Sequence, residues 1–152
     1  MANLQVKRIH PEVDLPERAT IGSAGFDLVA AIDEPIFLNP GESKLIPTGL
    51  AIYIKDPSVV AFILPRSKKG HKDGLVVGNL TGVIDSDYQG QWFISAWNRN
   101  HDKAVEIKPF EPIAQTVFMQ LAKIHMLETN EFDSETERAD GGISKDVETK
   151  AI

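Results

Sequence analysis

The feature that most restricts this chain is the close spacing of its turn signals. Asn39-Pro40-Gly41, Asp56-Pro57, Lys69-Gly70-His71-Lys72-Asp73-Gly74, Tyr88-Gln89-Gly90 and Asn98-Arg99-Asn100 cut it into short pieces. Proline lacks an N–H, glycine takes backbone angles other residues avoid, and Asn and Asp bond their own backbone, so such clusters end regular elements. The pieces between them are short and apolar. Val59-Val60-Ala61-Phe62-Ile63-Leu64 is a near-continuous run of strand length, and in residues 91–97 Trp92, Ile94 and Ala96 alternate with Phe93, Ser95 and Trp97. Short strands at this spacing predict an all-β sandwich or barrel. One stretch stays open. Ala114, Val117, Phe118, Leu121 and Ala122 fit helical spacing behind Pro112, and the same residues also read as an extended run.

A chain of 152 residues is long enough for one domain with a real core, and no internal repeat is visible. Its formal charge of −6 makes it a poor general binder of nucleic acid, although a local cationic patch can still hold a phosphorylated small molecule. With no cysteine, disulfides, thiolate catalysis and zinc–sulfur sites are excluded. No apolar run approaches the ~20 residues needed to cross a membrane, and residues 1–10 do not read as a signal peptide. The expected location is cytoplasmic. From about Glu128 the chain turns acidic, with Glu131, Asp133, Glu135, Glu137, Asp140, Asp146 and Glu148 and few large apolar residues. That composition predicts a disordered tail, which can still order on a ligand.

Five stretches carry possible chemistry. In Gly82-Val83-Ile84-Asp85-Ser86-Asp87-Tyr88-Gln89-Gly90 two carboxylates stand two apart. If extended they share a face, close enough for one to raise the other's pKa, and a carboxylate beside a Gly-flanked turn suits a general base that must reach a water; a hairpin with Asp turn residues is the plainer alternative. Pro65-Arg66-Ser67-Lys68-Lys69-Gly70-His71-Lys72 gathers four cations and a hydroxyl, with Gly70 and Gly74 allowing close backbone approach. Such a set can recognise phosphate, or it is a solvated basic hairpin loop. Gly22-Ser23-Ala24-Gly25-Phe26-Asp27-Leu28 reads as a turn whose buried Asp27 caps backbone N–H groups. Ile113-Ala114-Gln115 offers a lone amide, and Arg138-Ala139-Asp140-Gly141-Gly142-Ile143 either wraps a triphosphate or is linker. The four histidines have no metal-ligand spacing, and neither a P-loop nor a nucleophile elbow is present.

Taken in order and at these separations, the five stretches resemble the five motifs of the trimeric dUTPases. Thr48-Gly49-Leu50-Ala51 and Val77-Gly78-Asn79-Leu80 also match stretches between the motifs, so the resemblance covers nearly the whole chain. It implies an all-β, jelly-roll-like barrel or sandwich over residues 1–130 and a flexible C-terminal arm, residues 131–152, that closes over the active site. It implies a homotrimer with shared active sites, and no nucleic-acid or membrane partner. The implied reaction is attack of water on the α-phosphorus of dUTP, giving dUMP and pyrophosphate, with Mg2+ on the triphosphate; it limits uracil in DNA and supplies dUMP. Asp85 would activate the water. Asn79 and the hairpin Val83, Ile84 and Asp85 would read the uracil edge. Tyr88 would stack under the deoxyribose and exclude a 2′-hydroxyl, and Phe93 would contact the nucleoside. Arg66, Ser67, Lys68 and Gln115 would hold phosphates, Arg138 would reach the γ-phosphate, and Asp27 would meet magnesium through water, with no direct protein ligand.

The chain departs from the family pattern in three places. Lys68 stands where the family has glycine, at a cost of about 1 kcal/mol if the backbone there takes a positive φ. Pro112 stands where the family has arginine, and Ile143 where an aromatic stacks on the uracil. A weakly active or non-catalytic relative that senses dUTP and binds a partner is the alternative reading; a dCTP deaminase and a plain β-sandwich binding module are weaker ones.

Overall fold

The computed structural model describes residues 4–137. The chain divides into two compact units, Met1–Ala122 and Lys123–Ile152. In the second, the described residues 123–137 hold no helix or strand. The first is built of antiparallel strands: β1 (Gln5–Arg8), β2 (Phe26–Val29), β3 (Ile36–Leu38), β4 (Ser43–Pro47), β5 (Leu50–Tyr53), β6 (Val59–Pro65), β7 (Leu75–Val77), β8 (Gly82–Ile84), β9 (Phe93–Asn98), β10 (Val105–Ile107) and β11 (Pro112–Gln120). One short π-helical segment, Lys69–Asp73, interrupts them. Among the described residues no helix is long and apolar enough to cross a membrane.

The strands form a four-stranded sheet in the order β2-β11-β6-β8, a three-stranded sheet β4-β9-β7, and the pairs β1-β5 and β3-β10. Neighbours in a sheet are distant in sequence, which is the jelly-roll-like arrangement expected above. The alternation in 91–97 behaves as predicted: Trp92, Ile94 and Ala96 are buried while Phe93 is exposed. The open stretch resolves as strand. β11 is paired on both sides, with β2 and with β6, and those two ladders of hydrogen bonds outweigh a helical spacing that only five residues support. Its Ile113, Ala114 and Thr116 are buried. Around Trp92, Leu28, Leu38, Ile46, Ile63 and Ile94 form the fully enclosed core.

The chain passes from β4 to β5 through one tight corner. The Thr48 hydroxyl donates to the Trp92 carbonyl at 2.9 Å, and the Trp92 N–H donates to the Leu50 carbonyl at 2.8 Å. Gly49 has φ +70, and a Cβ there would lie 2.8 Å from Ala31 Cβ and from Val13 Cγ2, so only glycine fits. This corner fixes β9, and with it the position of Phe93.

Candidate active site

The centre of the four-stranded sheet sets out the first group of polar side chains. On β11, Gln115 lies opposite Asp27 of β2 and opposite Leu64 of β6. Arg66 leaves the end of β6 and turns back onto β2. Its Nε donates to Asp27 Oδ1 at 2.8 Å, and its second terminal nitrogen donates to Oδ2 at 3.0 Å. A third donor reaches the Pro112 carbonyl at 3.3 Å. This fork-on-carboxylate geometry fixes the guanidinium plane and leaves part of it open, because both side chains are only partly buried. Gln115 Nε2 donates to the Pro65 carbonyl at 2.9 Å. Asp27, Arg66 and Gln115 therefore form one connected group.

That geometry corrects the reading of Asp27 as a buried turn residue capping backbone N–H groups. Asp27 is a strand residue, and its carboxylate faces a guanidinium supplied by a residue far along the chain. The main-chain carbonyl of Pro65 has no sequence signal at all, since any residue supplies the same group.

The basic stretch is not a hairpin loop. Lys68 has φ −67 and ψ −48, an ordinary right-handed conformation, so lysine in place of glycine costs no backbone strain. Ser67 and Lys68 are exposed. Lys69 is spent on structure: it pairs with Glu111 and, at 3.4 Å, with Asp73. Nor do the glycines serve ligand approach. Gly70 is buried, and Gly74, at φ +76, packs so closely on Asn100 that a Cβ would lie 2.5 Å from its amide. Asn100 in turn donates to the Asp73 carbonyl at 2.8 Å and anchors the end of the π-helical segment.

The second group lies on the edge strand β8. Gly82, Val83 and Ile84 pair with Ile63, Phe62 and Ala61 of β6. Beyond Ile84 the chain turns, with the Tyr88 N–H donating to the Asp85 carbonyl at 3.2 Å. Asp85 and Asp87 thus lie in a turn, not at alternate positions on one strand face, and the strands on either side of it, β8 and β9, do not pair with each other, so the turn closes no hairpin. Asp85 and Val83 are exposed, as is Asn79 in the turn that precedes β8. Tyr88 is tied down: its hydroxyl donates to the Gln91 carbonyl at 3.1 Å, and a Cβ on Gly90 would collide with that hydroxyl. Phe93 opens β9 and is 44 % exposed, the same fraction as Tyr88.

The two groups stand apart. Continuing the β6–β8 register sets Asp85 beside Val60, whereas Arg66 follows Pro65 at the far end of β6. Six residues of strand separate them by about 20 Å. Arg138, Gly141, Gly142 and Ile143 lie outside the described residues. Among the described residues no cluster of three His, Asp or Glu side chains forms a metal site.

Comparison with known proteins places this arrangement. The family model for dUTPase matches residues 11–146. The deoxyuridine 5'-triphosphate nucleotidohydrolase of Enterobacter sp. (strain 638) is 51% identical over 147 residues, covering 94% of this chain and 95% of the relative. That of Tolumonas auensis is 54% identical over 136 residues, 90% of this chain and 89% of its own. Among solved structures, a mutant dUTPase of Staphylococcus bacteriophage 80alpha with dUpNHpp superposes with a TM-score of 0.84 at 26% identity, covering 96% of this chain and 99% of the phage protein. A mutant dUTPase from phage phi11 of S. aureus, described with a structural Mg(II) ion, gives 0.77 at 25% identity over 87% and 99%. Matches of this extent leave one conclusion: the chain belongs to the dUTPase family.

Proposed function

We propose that Asp85 is the general base with which this dUTPase splits dUTP into dUMP and pyrophosphate, in a site shared between subunits of a homotrimer. One observation carries the shared site: Asp85 and the Arg66–Asp27–Gln115 group lie at opposite ends of β6, about 20 Å apart. A base must come within ~3 Å of the water it activates, and donors that hold the same triphosphate must touch its oxygens. That separation supports a site whose two halves come from different chains. The β8 turn of one subunit is therefore completed by the phosphate-holding group of the next, and a closed threefold ring repeats that junction three times.

From the first subunit, Asn79 and the backbone of Val83, Ile84 and Asp85 read the uracil edge, and Phe93 contacts the nucleoside. The Tyr88 ring, held by Gln91 and Gly90, stacks on the deoxyribose and leaves no space for a 2′-hydroxyl. From the second, Arg66, Ser67, Lys68 and Gln115 donate to phosphate oxygens. Asp85 accepts a proton as the water oxygen bonds to the α-phosphorus. The bond from that phosphorus to its bridging oxygen breaks, and pyrophosphate leaves with the electron pair. Donors fixed before the reaction stabilise the charge that develops. The arm, residues 131–152 beyond the β domain of residues 1–130, brings Arg138 to the γ-phosphate.

Magnesium fits the donor set as a guest held through water. An ionised carboxylate has about four acceptor sites, and Arg66 occupies two of those on Asp27. Magnesium keeps several waters and prefers phosphate oxygens, so the remaining sites on Asp27 suit its hydration shell. When bound on the triphosphate it supplies charge neutralisation at the leaving group.

Asp85→Asn tests the assignment. The amide still accepts hydrogen bonds but cannot take the proton, so turnover should be nearly abolished while dUTP binding survives. Turnover within about threefold of the parent would remove Asp85 from this role.

A further inference from the structure

Gln115 sits in the middle of the phosphate-holding group, and its amide is not free to turn. A carbonyl oxygen only accepts hydrogen bonds, so the end of the amide that faces the Pro65 carbonyl, 2.9 Å away, is Nε2. The amide oxygen then points at Gly25. A Cβ built on Gly25 would lie 2.6 Å from Gln115 Oε1, 3.3 Å from Cδ and 3.5 Å from Cβ. One Nε2 hydrogen is used by Pro65, and the second is left for an anion.

We infer that Gly25 is a positioning residue for Gln115: the absence of a side chain makes the room in which the amide oxygen sits, so that the amide presents a donor to substrate. Gly25 acts in this way only if Gln115 is a phosphate ligand, as proposed above. Polarity decides the outcome. An N–H aimed at a phosphate oxygen makes a charge-assisted hydrogen bond, and an amide oxygen aimed there is repelled. Arg66 cannot swing across to replace a lost amide donor, because its guanidinium is held in place by Asp27 and Pro112. A methyl at position 25 should not unfold the sheet. The nearest atom it meets is the end of a flexible side chain rather than backbone. The amide instead swings away, leaves the Pro65 carbonyl and loses its orientation.

The test is a double-mutant cycle on the full-length protein, reading KM and kcat for dUTP with magnesium saturating and the melting temperature as a check on folding. Gly25→Ala should raise KM about tenfold, or about 1.4 kcal/mol, with kcat within about threefold. Gln115→Ala should raise KM at least as far, and adding Gly25→Ala to it should change nothing further. A glycine needed only for the fold would add its full factor in both backgrounds, and that result would overturn the inference, as would an unchanged KM in Gly25→Ala alone. An unchanged KM in Gln115→Ala would instead strike Gln115 from the phosphate site and remove the basis of the positioning role. If Gly25→Ala does not fold, the double variant decides: with the amide gone no clash remains, so it must fold and match Gln115→Ala. A double variant that also fails to fold would assign Gly25 to the scaffold.

Discussion

The separation of the two polar groups along β6 makes a quantitative prediction about mixed trimers. Asp85→Asn removes the base, and Arg66→Ala removes the guanidinium at the other end of the strand. Both variants should fold. Asp85 is exposed, and the Arg66–Asp27 pair, with side chains 33 % and 40 % exposed, contributes no more than about 1 kcal/mol once solvent screening is counted. Each homotrimer should be nearly inactive. In trimers assembled at random from equal amounts of the two, every junction draws its β8 turn from one chain and its phosphate-holding group from the neighbour. A junction with both halves intact needs an Arg66→Ala chain on the first side and an Asp85→Asn chain on the second. That combination arises in about a quarter of junctions. Denaturing the two together, refolding, and measuring pyrophosphate release should therefore recover about a quarter of parent activity. Activity no greater than the average of the two homotrimers would mean that both groups act on one substrate within a single chain, against the distance set by β6.

Four further outcomes can be measured directly. Tyr88→Ala should narrow the preference for dUTP over UTP, read as the ratio of the two kcat/KM values; an unchanged ratio rejects the ring as the wall against a 2′-hydroxyl. Deleting residues 137–152 should lower turnover by removing Arg138 and its charge from the phosphates, whereas equal turnover in both proteins would exclude the arm from the site. Ile143→Phe should tighten dUTP binding by up to the ~1–3 kcal/mol of a base–aromatic stack, and a titration that shows no gain counts against Ile143 lying over the base. Phe110 has φ +54, packs partly buried against the core and meets His10 edge-on at 5.2 Å, so Phe110→Gly relieves about 1 kcal/mol of strain but loses a ring contact and partial burial together worth about 2 kcal/mol. The melting temperature should fall by a few degrees; a rise would show that strain dominates.

Strands were legible where one local pattern sufficed. The apolar run at 59–64 and the alternation at 91–97 needed only the period of a pleated sheet, and they became β6 and β9. The stretch after Pro112 did not, because its residues satisfy two periods at once. What decides for a strand is a partner on each side, and those partners, β2 and β6, lie far earlier in the chain. The turn at Asp85 was legible as an alternative for the opposite reason: Asp and Gly carry turn chemistry in their own side chains or backbone freedom. Gly74 misled, since a glycine that admits a ligand and one that admits Asn100 look the same until the neighbour is placed.

The group formed by Asp27, Arg66 and Gln115 shows more sharply what a sequence withholds. Counting cations in residues 65–72 overstates the charge available, because Lys69 is neutralised by Glu111 and Asp73, one of them forty residues away. Counting the arginine missing at position 112 understates what remains. Pro112 still contributes, through its carbonyl, to holding Arg66, a main-chain contact that any residue at this position makes. Lys68, whose backbone is unstrained and which has no ion pair among the described residues, stands two positions beyond Arg66 in the exposed start of the π-helical segment. Residue identity gives the inventory of charges. Which of them are already answered inside the protein, and which face outward to a substrate, depends on the register of β2, β11 and β6, and that is a property of the whole sheet.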